Sequence, residues 1–72
     1  MKGFAYYTFG ANTRTMTAYR SAVAVGIEAK LVPNPPGDPD CSMAVRIPAG
    51  KQDLAEETWT GAEIVWKIKV VD

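Results

Sequence analysis

Leu31-Val32-Pro33-Asn34-Pro35-Pro36-Gly37-Asp38-Pro39-Asp40-Cys41-Ser42-Met43-Ala44-Val45-Arg46-Ile47 decides how this chain folds. Its two ends are apolar and rich in β-branched residues, so each reads as a strand. Its middle carries four of the five prolines and the only cysteine. Proline fixes φ and offers no N–H, so the middle reads as a stiff loop between two strands. Such a loop loses less entropy on folding than an ordinary one and can hold a side chain in place. Ordered structure is therefore expected over residues 33–40, with Cys41 presented at the exit.

Working towards the N-terminus, residues 27–32 alternate apolar and charged, the period of a half-buried strand. Gly26 before them is the expected helix C-cap, where a left-handed conformation costs least without a Cβ. Thr15, Ala18, Tyr19, Ala22 and Val23 fall three and four apart and make an apolar helix stripe. Asn12 or Thr13 supplies a capping oxygen for that helix. Residues 3–9, aromatic and β-branched, read as the first strand, which Gly10 ends.

Working towards the C-terminus, Cys41, Met43, Val45 and Ile47 share one face of the third strand. Pro48-Ala49-Gly50 breaks it. Asp53 with Glu56 three residues on has the form of a capping box and starts a short helix through about Trp59, which Gly61 stops. Ile64, Trp66, Ile68 and Val70 then alternate along a last strand.

The order β-α-β-β-α-β predicts one α+β domain over residues 1–72, folded as a ferredoxin-like two-layer sandwich with both helices on one sheet face. The first crossover is long enough for parallel pairing of its flanking strands, and both crossovers are expected to be right-handed. Shared parity places Ile64, Trp66 and Ile68 on the helix-covered face beside Met43 and Val45. Tyr7, Phe9, Val65 and Val71 are expected to give the helix-free face its apolar area, with Lys67 and Lys69 solvating part of it.

At 47% hydrophobic and 22% charged, the composition is that of a folded protein near the lower size limit for a self-sufficient core. Self-association is one way such a chain completes its burial. Eight basic and eight acidic residues cancel, which weighs against nucleic acid as a partner. No apolar run approaches the ~20 residues that span a bilayer, so no membrane partner is expected. The first residues lack the apolar core of a signal peptide and the single cysteine points to no disulfide, so the expected location is the cytoplasm.

Histidine is absent, which removes catalytic triads and most zinc sites. One cysteine makes neither a Cys-x-x-Cys pair nor a thiolate metal cage within one chain, so no metal and no cofactor is expected. The third strand lacks the aromatic and basic pattern of an RNA-stacking module. Glu56 and Glu57, adjacent on a helix, point to different faces and read as solvated surface. Cys41 has two readings. It is a small hydrophobe at the head of a core strand, or it is a thiol displayed by the proline loop. Asp38 and Asp40 oppose the thiolate wherever they lie close, and Arg46 has the wrong parity to help it.

Gly26-Ile27, Leu31-Val32-Pro33-Asn34-Pro35, Cys41 and Ala44-Val45-Arg46 together resemble the DUF3343 family of small bacterial sulfur or selenium carrier-like proteins. The similarity covers most of the chain, and its specific part is the Pro-x-Pro to Cys segment. Family members commonly have arginine at the place of Pro36, a serine-rich approach in place of residues 37–40, and glycine at the place of Ser42. The resemblance implies that Cys41 is the reactive residue, with Pro33, Pro35, Pro36, Asp38 and Asp40 forming the loop that presents it. The Cys41 thiolate would attack the terminal sulfur or selenium of a donor protein's persulfide or perselenide, releasing the donor thiolate. An acceptor protein would then attack that terminal atom in turn. This is a carrier rather than a turnover enzyme. The reading from a different class is a non-catalytic interaction or regulatory module that dimerises or binds a ligand through its sheet.

Overall fold

The computed structural model describes residues 3–33 and 43–72. Five of the six expected site residues, Pro35, Pro36, Asp38, Asp40 and Cys41, therefore lie outside the described residues, as does most of the loop expected over residues 33–40.

The described elements run β1 (Phe4–Thr8), α1 (Asn12–Ala24), β2 (Lys30–Pro33), β3 (Met43–Pro48), a single 3-10 turn (Ala49–Lys51), α2 (Gln52–Gly61) and β4 (Ile68–Val71). The strands form one sheet in the order β2-β3-β1-β4, with every neighbouring pair antiparallel. β1 and β2 are thus parallel to each other but not paired, because β3 lies between them. The expected parallel pairing across the first crossover does not occur. Antiparallel pairing of both strands with β3 uses their hydrogen-bonding edges instead.

Ala5, Tyr7, Val45 and Ile47 of the sheet share one buried cluster with Ala18 and Ala22 of α1 and Ala55 and Trp59 of α2. Both helices therefore lie on the same sheet face, and the fold is two layers of α+β structure. Trp59 fills the centre of that interface. Its indole Nε1–H donates to the carbonyl of Ala18 at 2.9 Å and ties α2 to α1. Thr15, Ala18 and Ala22 are the buried stripe of α1, while Val23 is 47% exposed and falls outside it.

Helix ends depart from the expected caps. α1 is preceded by Ala11 with no side-chain cap, so neither Asn12 nor Thr13 plays that part; Thr15 instead donates back to the Ala11 carbonyl at 3.0 Å. Gly26 does close α1. It has φ +87, its N–H reaches Val23, and the Ile27 N–H reaches Ala22. That pair of bonds is a Schellman closure, with the apolar contact it usually brings. α2 starts from the 3-10 turn at Gln52, one residue before Asp53, so no capping box forms. Its end repeats the Schellman pattern with Glu63 in the left-handed position (φ 60). Glu63 N–H bonds Thr60, and Ile64 N–H bonds Trp59. Gly61, expected to stop the helix, is its last residue.

The last strand is shorter than its alternation suggests. Ile64 and Trp66 pack against the core before β4 begins, and a bend at Lys67, whose N–H bonds Thr8, separates them from it. The bend reverses the parity. Register pairs Lys69 with Tyr7 and Val71 with Ala5, so those two face the helices, while Ile68 and Val70 face away with Thr8 and Tyr6. Ile68 is thus on the helix-free face, against expectation.

Candidate functional site

β1 divides its side chains between two environments. Alternation sends Ala5 and Tyr7 to the helix layer and Phe4, Tyr6 and Thr8 to the other face. Tyr7 and Phe9 are fully buried in the core and not on the helix-free face, where the sequence suggests them. Lys69 and Val71 are likewise on the helix side, and Val65 stands 74% exposed in the connection before β4. The helix layer holds Tyr7 through α2 and the connection before β4, where Trp59 and Trp66 flank its ring.

Tyr7 reaches the rim of the core with its hydroxyl, which donates to Glu56 Oε2 at 2.6 Å. Lys69 Nζ donates to the same oxygen at 2.8 Å. The ring is held edge-on by Trp59 and Trp66, with centroids at 4.7 and 5.6 Å. Burial, with the Glu56 hydrogen bond adding to it, pushes the phenol far above its ordinary range. The Lys69 ammonium, seconded by the Tyr7 hydroxyl, holds the Glu56 carboxyl below its ordinary value. A phenol so strongly kept neutral is a poor acid and keeps its proton on the Glu56 bond, so this chain of bonds serves to satisfy a buried hydroxyl. Glu56 is therefore not the solvated surface residue that the sequence suggests. The available signal was its position one helical turn before the buried Trp59.

The opposite face is the larger feature. Register aligns Lys30, Arg46, Tyr6 and Val70 in one row across all four strands. The next row holds Val32, Ala44, Thr8 and Ile68, with Ala44 one step beyond the Tyr7–Val45 pair. Phe4 and Pro48 are paired at the far end. No described helix packs here, since both belong to the other layer. Phe4 is 37% exposed, and Tyr6, Val32, Ile68 and Val70 are each half-buried. Arg46 lays its guanidinium 4.2 Å from the centre of the Phe4 ring. Asp72 accepts from the Phe4 N–H at 3.1 Å and from the Tyr6 hydroxyl at 3.4 Å. Thr8 and Ala44, at the centre of the face, are fully buried, so its accessible apolar area lies in the residues around them, with two cations on the β2–β3 side and one carboxylate beside β4.

Of the expected site residues, only Pro33 is described. It ends β2, is exposed, and pairs with Met43. Among the described residues no group of three or more His, Cys, Asp or Glu is placed to hold a metal. No helix among them is long and apolar enough to cross a membrane. A surface groove of about 320 Å³ lies between Thr13, Arg14 and Thr17 of α1 and the Glu63–Val65 turn. No family model matches this chain, and no curated protein or solved structure matches it either.

Proposed function

We propose that this protein is a small α+β interaction module that works through the helix-free face of its sheet. The observation that carries the reading is that Phe4, Tyr6, Val32, Ile68 and Val70 are gathered on one face with no described helix over them. An antiparallel sheet that leaves a face to water normally makes it polar; half-buried apolar side chains ringing the buried Thr8 and Ala44 are what supports an interaction surface there. The strand order β2-β3-β1-β4 and the order β-α-β-β-α-β support assigning the sandwich to the ferredoxin-like class. Function on such a scaffold is argued from the face itself, because the class hosts many activities.

The test is binding of the dye ANS, which reports accessible apolar surface. The native protein is expected to enhance its fluorescence, and Val70→Lys to reduce the enhancement by about half. Val23→Lys, on the helix layer, is expected to leave it unchanged. Equal responses from the two variants would refute the reading.

The second reading keeps the carrier role for Cys41, with sulfur or selenium donor and acceptor proteins as partners. What supports it is the resemblance, together with the Pro33–Met43 register, which brings the two ends of the Cys41 segment side by side at one end of the sheet. Incubation with a cysteine desulfurase and its substrate, followed by intact mass measurement, decides it. The carrier reading expects a gain of one sulfur that Cys41→Ser abolishes. A thiol that resists both persulfuration and alkylation in the folded protein, yet reacts once unfolded, would reject it.

A further inference from the structure

We propose that the edge of β4 pairs with β4 of a second copy of this chain, antiparallel about Val70, so that the two sheets continue as one. This surface is the rim of the sheet, separate from its helix-free face.

The strand order leaves two edges, β2 and β4, and among the described residues no strand lies beyond either. An edge strand carries a row of unpaired N–H and C=O groups, which proteins commonly guard with proline or charge. β2 is guarded: Pro33 has no N–H, and Lys30 is exposed at the other end. β4 is not. It has no proline, and the ammonium of its one lysine, Lys69, is drawn to Glu56 on the helix side at 2.8 Å. Val71 stands 47% exposed.

Hydrogen-bond parity shows which backbone groups face outward. The Asp72 N–H bonds the Phe4 carbonyl at 3.1 Å, so these two residues form a hydrogen-bonded pair at the end of the β1–β4 ladder. Such pairs alternate along antiparallel strands, so Val70 and Ile68 also turn their backbone groups towards β1, at Tyr6 and Thr8. Lys69 and Val71 turn theirs away from the sheet. A strand added at this edge bonds those two residues.

Charge and overlap then fix the register. Three twofold registers join outward groups to outward groups. Centred on Lys69, the pairing sets two lysines directly opposite each other, which is destabilising. Centred on Val71, where β4 ends, it overlaps only the last residue of each strand. Centred on Val70, it sets Lys69 opposite the partner's Val71 and Val71 opposite the partner's Lys69, and each pair exchanges both its N–H···O bonds. Val70 meets the partner's Val70 on the other face. The two Lys69 residues are then only diagonal neighbours, and each is already met by its own Glu56. The strand is complementary to itself, as an isologous contact requires, and a second copy therefore supplies the matching edge.

Four residues at a rise of about 3.4 Å make a contact about 14 Å long. A single strand pairing of that length stays below the roughly 1,000 Å² of a stable interface, so the dimer is a weak, exchanging one.

Amide hydrogen exchange at about 20 μM and 1 mM, with sedimentation equilibrium over the same range, tests this. The wild-type chain is expected to dimerise weakly. The Lys69 and Val71 amides are expected to exchange severalfold more slowly at the higher concentration, while the Val70 amide, already bonded to β1, is unchanged. Val71→Lys places like charges opposite each other twice and is expected to weaken the dimer about fivefold. Val71→Glu places opposite charges there and is expected to leave it at least as tight as wild type. Circular dichroism confirms that both variants are folded. A wild-type chain that stays monomeric at 1 mM overturns the proposal, as does a dimer whose Lys69 and Val71 amides exchange no more slowly. Protection of those amides that is equal at both concentrations means that something other than a second copy holds the edge, and it too overturns the proposal. Equal weakening by the two variants overturns the register about Val70.

Discussion

Trp59→Ala is expected to remove most of this domain's stability. The side chain is fully buried, and its ring meets Tyr7 at 4.7 Å and Phe9 at 5.1 Å between centroids, both edge-on, with Trp66 tilted at 6.1 Å. It also makes the indole bond to Ala18 that joins the two helices. Truncating a buried tryptophan costs about 3–5 kcal/mol through lost transfer energy and the cavity left behind. The aromatic contacts, worth ~0.5–1.5 kcal/mol each beyond their area, push the figure to the upper part of that range. Domains carry roughly 0.05–0.15 kcal/mol of stability per residue, so a chain of this length holds about 4–11 kcal/mol in all. Trp59→Phe separates the contributions. It keeps most of the ring but loses the hydrogen bond and part of the volume, for an expected cost of about 1–3 kcal/mol. Urea denaturation followed by far-UV circular dichroism measures both, with an unchanged m value as the check that the transition is the same one. A cost for Trp59→Ala under about 1 kcal/mol, the range of ordinary surface changes, would refute the placement of Trp59 at the centre of the core.

Glu63→Gly is expected to stabilise the protein by about 0.5–1 kcal/mol, because Glu63 occupies a left-handed conformation that a Cβ disfavours. Thermal unfolding should rise by about 2–8 °C, and a fall would contradict the Schellman closure of α2. The Glu56 carboxyl, lowered by Lys69 and Tyr7, contributes stability that is fully present above the ordinary glutamate value of 4.5. That contribution is lost as pH falls through its lower folded-state value. In Lys69→Met the Glu56 titration followed by carboxyl NMR should move back up towards 4.5; an unmoved titration would remove Lys69 as the main cause. Tyr7, raised by burial, contributes stability that is present below its ordinary value near 10 and is lost as pH rises above it. Tyr7→Phe should flatten that alkaline fall, and an unchanged profile would count against the burial of the hydroxyl.

The element order is readable from the sequence because its signals are local. Gly26 closes α1 as its missing Cβ suggests, and the small residues Ala18 and Ala22 mark the side of α1 that meets the sheet. The faces of β1 are not readable in the same way. Ala5, Tyr7 and Phe9 alternate with Phe4, Tyr6 and Thr8, and both sets carry aromatic rings. Only packing against the helices decides between them. β4 fails for a different reason. The run from Ile64 to Val71 contains no glycine or proline to announce the bend at Lys67, so its alternation looks continuous while the parity changes. That single shift moves Ile68 and Val70 to the helix-free face and Lys69 to Glu56. It builds the apolar surface that a straight strand would have left partly charged. The alternation marks Trp66 as packing on the helix side, whereas Trp59 reads only as a helix end, because its burial depends on Ala18 in a distant helix.

The central claim is that the outer residues of the helix-free sheet face form accessible apolar surface. Methyl signal loss caused by a water-soluble paramagnetic probe tests it residue by residue. The account predicts that Val32, Ile68 and Val70 broaden while Ile27, Val45 and Ile47, on the helix side, stay sharp. Broadening that is equal on both faces, or absent from both, would contradict it.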